Sequence, residues 1–250
     1  MKLSAIIITK NEERNISICL ESVAWAGEII VVDSGSTDNT VAICKQLGAK
    51  VLVMDWPGFG PQKNRALSLA TGDWVLSLDA DERVSPELCS EIQAAIANPG
   101  EAVAFCMPRL SSYCGRFMRH GGWWPDLVVR LFRRGNARFS EARVHEQVVV
   151  EGRIGRLRSH LLHESFHDPV EVLEKVNRYS SEGARMLAER GRRASVATAI
   201  VHGLWAFIRT YILKRGFLDG REGFAMAVST AEVSYYRYLK LMYLTESADP

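Results

Sequence analysis

The chain lacks paired cysteines. Its five, Cys19, Cys44, Cys89, Cys106 and Cys114, form no C-x-x-C pair and no closely spaced framework. An odd, scattered set excludes a disulfide scaffold and implies reduced, mostly buried thiols in a cytosolic protein. Charge of one sign is also lacking. The formal net charge is +2, so bulk electrostatics give no footprint for nucleic acid. No G-K-[ST] occurs, and the glycines of Gly58-Phe-Gly-Pro-Gln-Lys-Asn64 are too loosely spaced for a P-loop, which weakens kinase and nucleotide-triphosphatase readings. There is no internal repeat and no low-complexity linker. The apolar stretch Leu3 to Ile8 is too short for a secretory signal and runs into Asn11-Glu12-Glu13-Arg14, so it reads as a first buried strand.

What is present is an ordinary folded composition, 47% apolar and 24% charged over 250 residues. That length can bury a sizeable core, as one large domain or one domain plus an extension. Strand-like and helix-like patterns alternate through the first hundred residues. Apolar runs at Leu3–Ile8, Glu28–Val32, Val51–Met54, Trp74–Leu78 and Ala102–Met107 are separated by helical patterns. Asn11, then Ser36 or Thr37, are candidate caps, Pro61 can open a helix to Leu69, and Ser85-Pro86 starts another through Ile96. This alternation predicts an α/β fold with a mostly parallel sheet flanked by helices. Leu127–Phe132 and Val144–Val150 are further candidate strands. Asp168-Pro169-Val170-Glu171 reads as a cap, a first-turn proline and a capping-box glutamate before a helix to about Arg190. Ala194–Leu213 and Tyr235–Leu244 complete a helical extension. The expected division is 1–167 and 168–250.

Ligands of such sheets bind at the carboxyl ends of the strands. Three polar segments fall there: Thr9-Lys10-Asn11-Glu12, Asp33 to Asp38, and Asp79-Ala80-Asp81. Alternate residues of a strand point the same way, so Asp79 and Asp81 can face one site. Paired carboxylates repel unless positive charge intervenes, and a divalent cation carrying phosphate is the usual solution. Mg²⁺ or Mn²⁺ suits those oxygens, and the chemistry would be stabilisation of a leaving diphosphate. The plainer alternative is a polar loop. Asp33 ends an apolar run and either caps its own turn or meets a nucleobase N–H or ribose hydroxyl.

Four other features have two readings each. His145-Glu146 is an exposed charged pair, or Glu146 is a general base for an acceptor hydroxyl. His163, in the set His160, His163 and His167, is a core histidine or a supplementary ligand to a metal on Asp81. Trp123-Trp124-Pro125-Asp126 is core packing, or a loop whose aromatic faces stack on a sugar, with Arg130 placed to meet phosphate. Ala194–Leu213, interrupted by His202 and Arg209, is a packing helix or an interfacial one, and Arg209 argues against a clean transmembrane span.

Ile6-Ile-Ile-Thr-Lys-Asn-Glu-Glu13, Val31-Val-Asp-Ser-Gly-Ser-Thr-Asp-Asn-Thr40, Gly72-Asp-Trp-Val-Leu-Ser-Leu-Asp-Ala-Asp-Glu82 and Val144-His-Glu146 together resemble the family 2 inverting glycosyltransferases of GT-A fold. The likeness is tight over 3–100 and extends to about 167. Within that family the chain looks most like bacterial lipopolysaccharide inner-core enzymes that add a β-linked glucose to heptose. Gly121–Phe132 and Tyr211-Ile-Leu-Lys-Arg-Gly-Phe-Leu-Asp-Gly220 carry that finer likeness. The resemblance implies that Thr9, Glu12 and Asp33 hold uridine, Lys63 lies near the nucleotide, Asp79 approaches the ribose, Asp81 binds the metal, and Glu146 is the acceptor-activating carboxylate. Trp123, Trp124, Asp126 and Arg130 are the candidate substrate wall. It further implies a UDP-sugar donor, a lipid-linked saccharide acceptor, and a place in the cytoplasm at the inner membrane face, with possible peripheral membrane contact. The Glu-Asp base motif and the Gln-x-x-Arg-Trp motif of processive members are absent, which implies transfer of a single sugar. The competing readings are a polyprenyl-phosphate transferase, whose acceptor needs no base, a nucleotide-sugar-binding protein without catalysis, and a nucleotidyltransferase, which would need a glycine-rich loop that residues 9–15 lack.

Overall fold

A computed structural model describes residues 2–140 and 147–246. The chain divides into two compact units, 1–109 with 126–163, and 110–125 with 164–250.

The first unit is built on one sheet. β1 (Leu3–Thr9) lies between β2 (Glu28–Asp33) and β4 (Trp74–Asp79), with β3 (Lys50–Val53) outside β2, all parallel. The connecting helices are α1 (Ile16–Ser22), α2 (Thr40–Gln46) and α3 (Phe59–Leu69). β1 is buried at every position, as expected of a strand covered on both faces. Alternation divides it. Leu3, Ala5 and Ile7 join the core formed with Ile16 and Leu20 of α1, whereas Ile6 and Ile8 join the core formed with Ala66 of α3.

Beyond β4 the sheet becomes antiparallel through β8 (Asp126–Arg133) and the first part of β6 (Ala102–Tyr113). It continues through β12 (Leu161–His163) to β5 (Glu82–Val84), and β11 (Arg153–Arg156) runs parallel to β6. α4 (Pro86–Ala97) starts where Ser85 Oγ accepts from the Leu88 amide. A separate hairpin pairs β9 (Ala137–Phe139) with β10 (Val148–Val150). The short strands β5, β9, β11 and β12 carry too few residues for a period-two signal.

Two caps differ from expectation. Asn11 does not cap α1. It adopts a left-handed φ of 55°, and its Oδ1 accepts from the Thr37 amide at 2.8 Å. The second helix starts at Thr40, after Ser36 and Thr37 have been drawn into the turn before it. His163 lies on a strand, so the three-and-four spacing of His160, His163 and His167 does not form a helix face.

The second unit contains α5 (Pro169–Glu189), α6 (Val196–Phe207) and α7 (Gly220–Glu246), together with the end of β6 and its partner β7 (Arg116–Phe117). Asp168 Oδ1 accepts from the amides of Val170 and Glu171, the predicted cap, and the Glu171 carboxylate accepts from the amide of His167, one residue before the cap. α7 packs against both other helices. Lys240 Nζ ties it to α5 through Asn177 Oδ1, Ser180 Oγ and Ser181 Oγ, each at 2.8 Å. A π-helical turn, Ile208–Leu213, and a 3₁₀ turn, Gly216–Asp219, link α6 to α7. A Cβ on Gly223 would come within 1.9 Å of the Gly216 carbonyl oxygen, so that contact needs glycine.

Candidate active site

β1 leads outward to β2 and β3, and β4 returns on its other side, so the strand order reverses between β1 and β4. The carboxyl ends there are in register, Thr9 opposite Asp33 and Ile8 opposite Asp79. This is the crevice position for a ligand in an α/β sheet.

At the end of β2, Asp33 is fully buried. Its Oδ1 accepts from the amides of Gly35 and Ser36 at 2.9 Å, and its Oδ2 accepts from Ser36 Oγ. Gly35 has φ of +82°, which the turn requires. The partner of the Asp33 carboxylate is therefore its own turn. Beside it, Gln62 Nε2 donates to Ser34 Oγ at 3.0 Å. At the end of β1, Thr9 Oγ1 is buried without a hydrogen-bond partner among the described residues. Glu12 closes the adjoining turn, accepting from Asn15 Nδ2 at 2.8 Å.

Asp79 and Asp81 have different partners. Lys63 Nζ, on α3 and only 2% exposed, lies 2.7 Å from Asp79 Oδ1, and Arg130 Nη2, from β8, lies 2.5 Å from Oδ2. Burial would raise the Asp79 carboxyl, but the Arg130 guanidinium and then the Lys63 ammonium overcome it and hold the group well below the usual carboxylate range. Positive charge beside Asp79 is thus supplied by the protein. Asp81 Oδ2 instead faces His163 Nε2 at 3.2 Å, and both side chains keep some exposure.

Glu82, which the sequence reading did not select, holds this corner together. Its side chain is fully buried. One oxygen accepts from Arg130 Nη2 at 2.7 Å and Arg109 Nη1 at 3.2 Å, and the other accepts from the Asp79 amide at 3.0 Å. Arg109 continues to Asp126, donating from Nε and Nη2 to Oδ2 at 2.9 and 2.7 Å. Acid and base alternate along the line Lys63, Asp79, Arg130, Glu82, Arg109, Asp126. Both arginines are held further above their usual range, against the burial that would lower them, by these carboxylates.

Residues 4–158 match the family described as Glycosyl transferase family 2. The chain belongs to glycosyltransferase family 2. An uncharacterized glycosyltransferase of Rickettsia typhi is 35% identical, over 98% of this chain and 88% of its own length. The lipopolysaccharide core biosynthesis glycosyltransferase LpsC of Rhizobium meliloti is 32% identical, over 95% and 93%. Among solved structures, residues 1–349 of S. aureus TarS, in complex with UDP-GlcNAc, give a TM-score of 0.51 at 16% identity, covering 99% of this chain and 92% of that one. The fold is a GT-A-like mixed α/β fold with a long C-terminal helix, and the protein is a glycosyltransferase.

In this glycosyltransferase, Thr9, Asp33, Asp79 and His163 stand at strand ends of the first unit, Asp81 lies in the turn between β4 and β5 rather than on the strand of Asp79, Glu12 follows β1, and Lys63 reaches Asp79 from α3. Asp126 and Arg130, read from the sequence as substrate groups, are in the ion-pair line, and Arg130 is buried between Asp79 and Glu82. Trp123 and Trp124 belong to the second unit. Trp123 packs there with Tyr113 and Phe166, ring centroids 6.0 and 6.1 Å away, and Arg119 lies over the Trp124 ring. Glu146 lies outside the described residues. Its described neighbours Ser140 and Gln147 are joined, the Ser140 amide donating to the Gln147 carbonyl at 2.9 Å. The signal that could have identified Glu82 was its place directly after the two aspartates. Its role depends on arginines 27 and 48 residues away, which local spacing does not reveal.

Proposed function

We propose that the enzyme is an inverting, non-processive transferase that moves one sugar, glucose from UDP-glucose, to a heptose hydroxyl of the lipopolysaccharide inner core. The observation that carries this reading is the split between the two aspartates. Asp79 is neutralised by Lys63 and Arg130, while Asp81 and His163 present a carboxylate oxygen and an imidazole nitrogen 3.2 Å apart. That donor pair fits a divalent cation such as Mn²⁺ or Mg²⁺, whose other positions would accept diphosphate oxygens. A bound cation supplies positive charge for the departing diphosphate.

The protein's own groups do the rest. Thr9, Glu12 and Asp33 border the uridine. Thr9 Oγ1 is a buried hydroxyl open to a ligand partner, and Asp79, held ionised, accepts from a ribose hydroxyl. The acceptor oxygen attacks C1 of the sugar on the face opposite the diphosphate, and a Glu146 carboxylate oxygen takes its proton. TarS, of similar fold, binds a UDP-sugar, and the relative LpsC acts in lipopolysaccharide core biosynthesis. A lipid-linked acceptor of this kind puts the enzyme in the cytoplasm at the inner membrane face.

Purified protein with Mg²⁺ or Mn²⁺ should release UDP from UDP-glucose faster when deacylated lipid-core acceptor is added. A screen across donors reads the sugar. Asp81→Ala should abolish transfer and metal-supported donor binding while leaving thermal stability nearly unchanged, and near-normal transfer by it would overturn the metal assignment. Glu146→Gln should keep donor binding and lose turnover. An active Glu146→Gln enzyme would move the base elsewhere and favour a phosphate acceptor.

A further inference from the structure

α6 is apolar around most of its circumference, with Thr198 and His202 as the polar exceptions, a composition expected of a helix buried on most sides. Only one side is covered. Ala199, Gly203, Ala206 and Thr210 are buried, and a Cβ on Gly203 would sit 3.1 Å from Tyr235 Cβ of α7. The opposite stripe is open. Val201 is 64% exposed, Leu204 61% and Trp205 53%, and Ile208, Ile212 and Leu213 continue it through the π-helical turn. A groove of about 360 Å³, lined by Ile200, Leu204, Phe207, Tyr235 and other mostly apolar residues, with Glu232 among them, opens beside it.

Charge indicates the occupant. Residues 190–221 hold seven cations and one acid, Asp219, in a chain whose net charge is only +2. Asp219 is buried, accepting from the Arg119 and His120 amides, while Arg209, Lys214 and Arg215 are exposed at the end of the stripe. An apolar strip with a cationic border matches an anionic lipid surface.

We propose that the open face of α6 and the turns after it dock in the plane of an anionic phospholipid bilayer. The stripe enters at headgroup depth, and Arg209, Lys214 and Arg215 meet lipid phosphates. Val196–Leu213 has the length and mean hydropathy, 1.4 over 18 residues, of a membrane span. It lies flat instead, because its small-residue side is packed on α7, and a span would carry Glu232, Arg237 and Lys240 of that helix toward hydrocarbon. The purpose of docking rests on the lipid-linked acceptor of the proposed function, whereas the binding itself does not.

Co-sedimentation with vesicles of phosphatidylglycerol and phosphatidylcholine, against phosphatidylcholine alone, tests it. The full chain should bind the mixed vesicles at least tenfold better. Val201→Asp with Leu204→Asp should lower binding at least tenfold, and Arg209→Glu with Lys214→Glu should remove the preference for phosphatidylglycerol. A fluorophore on Leu204→Cys should shift to the blue on mixed vesicles, a readout that survives if the aspartate pair disturbs folding. Full binding by the aspartate variant, or an unshifted fluorophore, would overturn the proposal. So would a wild-type dimer that never sediments and that the aspartate pair makes monomeric, since a second copy would then be the occupant. UDP release with deacylated acceptor, measured without vesicles, separates the two readings. Vesicle binding without transfer refutes the function alone, and transfer without vesicle binding refutes docking alone.

Discussion

The first unit buries charge where the second exposes hydrocarbon. Around the carboxyl end of β4, ionic groups are matched in pairs, from buried Lys63 through Asp79, buried Arg130 and buried Glu82 to Arg109 and Asp126. Along α6, Val201, Leu204 and Trp205 stand in the open. Removing charges from water is costly unless they are paired, and large contiguous apolar patches are rare on soluble monomers. Each unit therefore departs from the default in the direction its chemistry requires. One holds a corner of matched buried charge, and the other keeps an exposed apolar face.

The contrast can be broken most forcefully at Arg130. Arg130→Met keeps much of the side-chain volume but leaves Glu82 and Asp79 without their shared cation. Removing one partner of a buried pair typically costs about 3–5 kcal/mol, and calorimetry should show a loss of that size in the first unit. A neutral or stabilising result would mean that the line of ion pairs does not organise the site. The second unit is tested by Gly223→Ala. Alanine is the better helix former, but its Cβ would overlap the Gly216 carbonyl, and overpacking of this sort costs about 1–3 kcal/mol. An unchanged unfolding temperature would show that the exposed face belongs to a loosely packed unit rather than to a well-packed one with an open side.

The smallest effect lies at the opposite end of the sheet. Burial would raise the Glu28 carboxyl, but hydrogen bonds from Ser4 Oγ and from the Thr71 amide and hydroxyl, with Lys2 nearby, hold it down at about 2. The folded value lies below the ordinary unfolded value of about 4.3. Its stabilisation is thus complete above that value and is lost as pH falls toward 2. Allowing for solvent screening, this is on the order of 1 kcal/mol. Glu28→Gln should flatten denaturation midpoints between those pH values and leave the slope above pH 5 unchanged.

Much of the first unit was legible in the sequence because its signals are local. The continuous apolar run of β1 and Ser85 before α4 lie within a few residues of what they determine, as does Asp168 before α5 in the second unit. The aspartate pair was legible too, but its division of labour was not. That division depends on Arg130, delivered by an antiparallel strand 51 residues beyond Asp79, and on Glu82, whose three-residue strand is too short to show alternation. Sequence gives the charge of Arg130 and not its burial between Asp79 and Glu82. The two glycines before Trp123 mark a loop but do not reveal that its ring packs with Tyr113 and Phe166. Ala194–Leu213 shows its apolar content plainly, but only packing distinguishes the covered side from the open one.

The turns after β1 and β2 are stitched to each other. The Asn11 amide donates to Ser36 Oγ, the Thr37 amide to Asn11 Oδ1, the Glu12 amide to Thr40 Oγ1, and the Asn39 amide to Glu13 Oε2. The entropy of ordering them is therefore lost when the chain folds, before any ligand arrives. This lip of the candidate crevice is preorganised, so a ligand that binds there does not wait for these turns to find their shape.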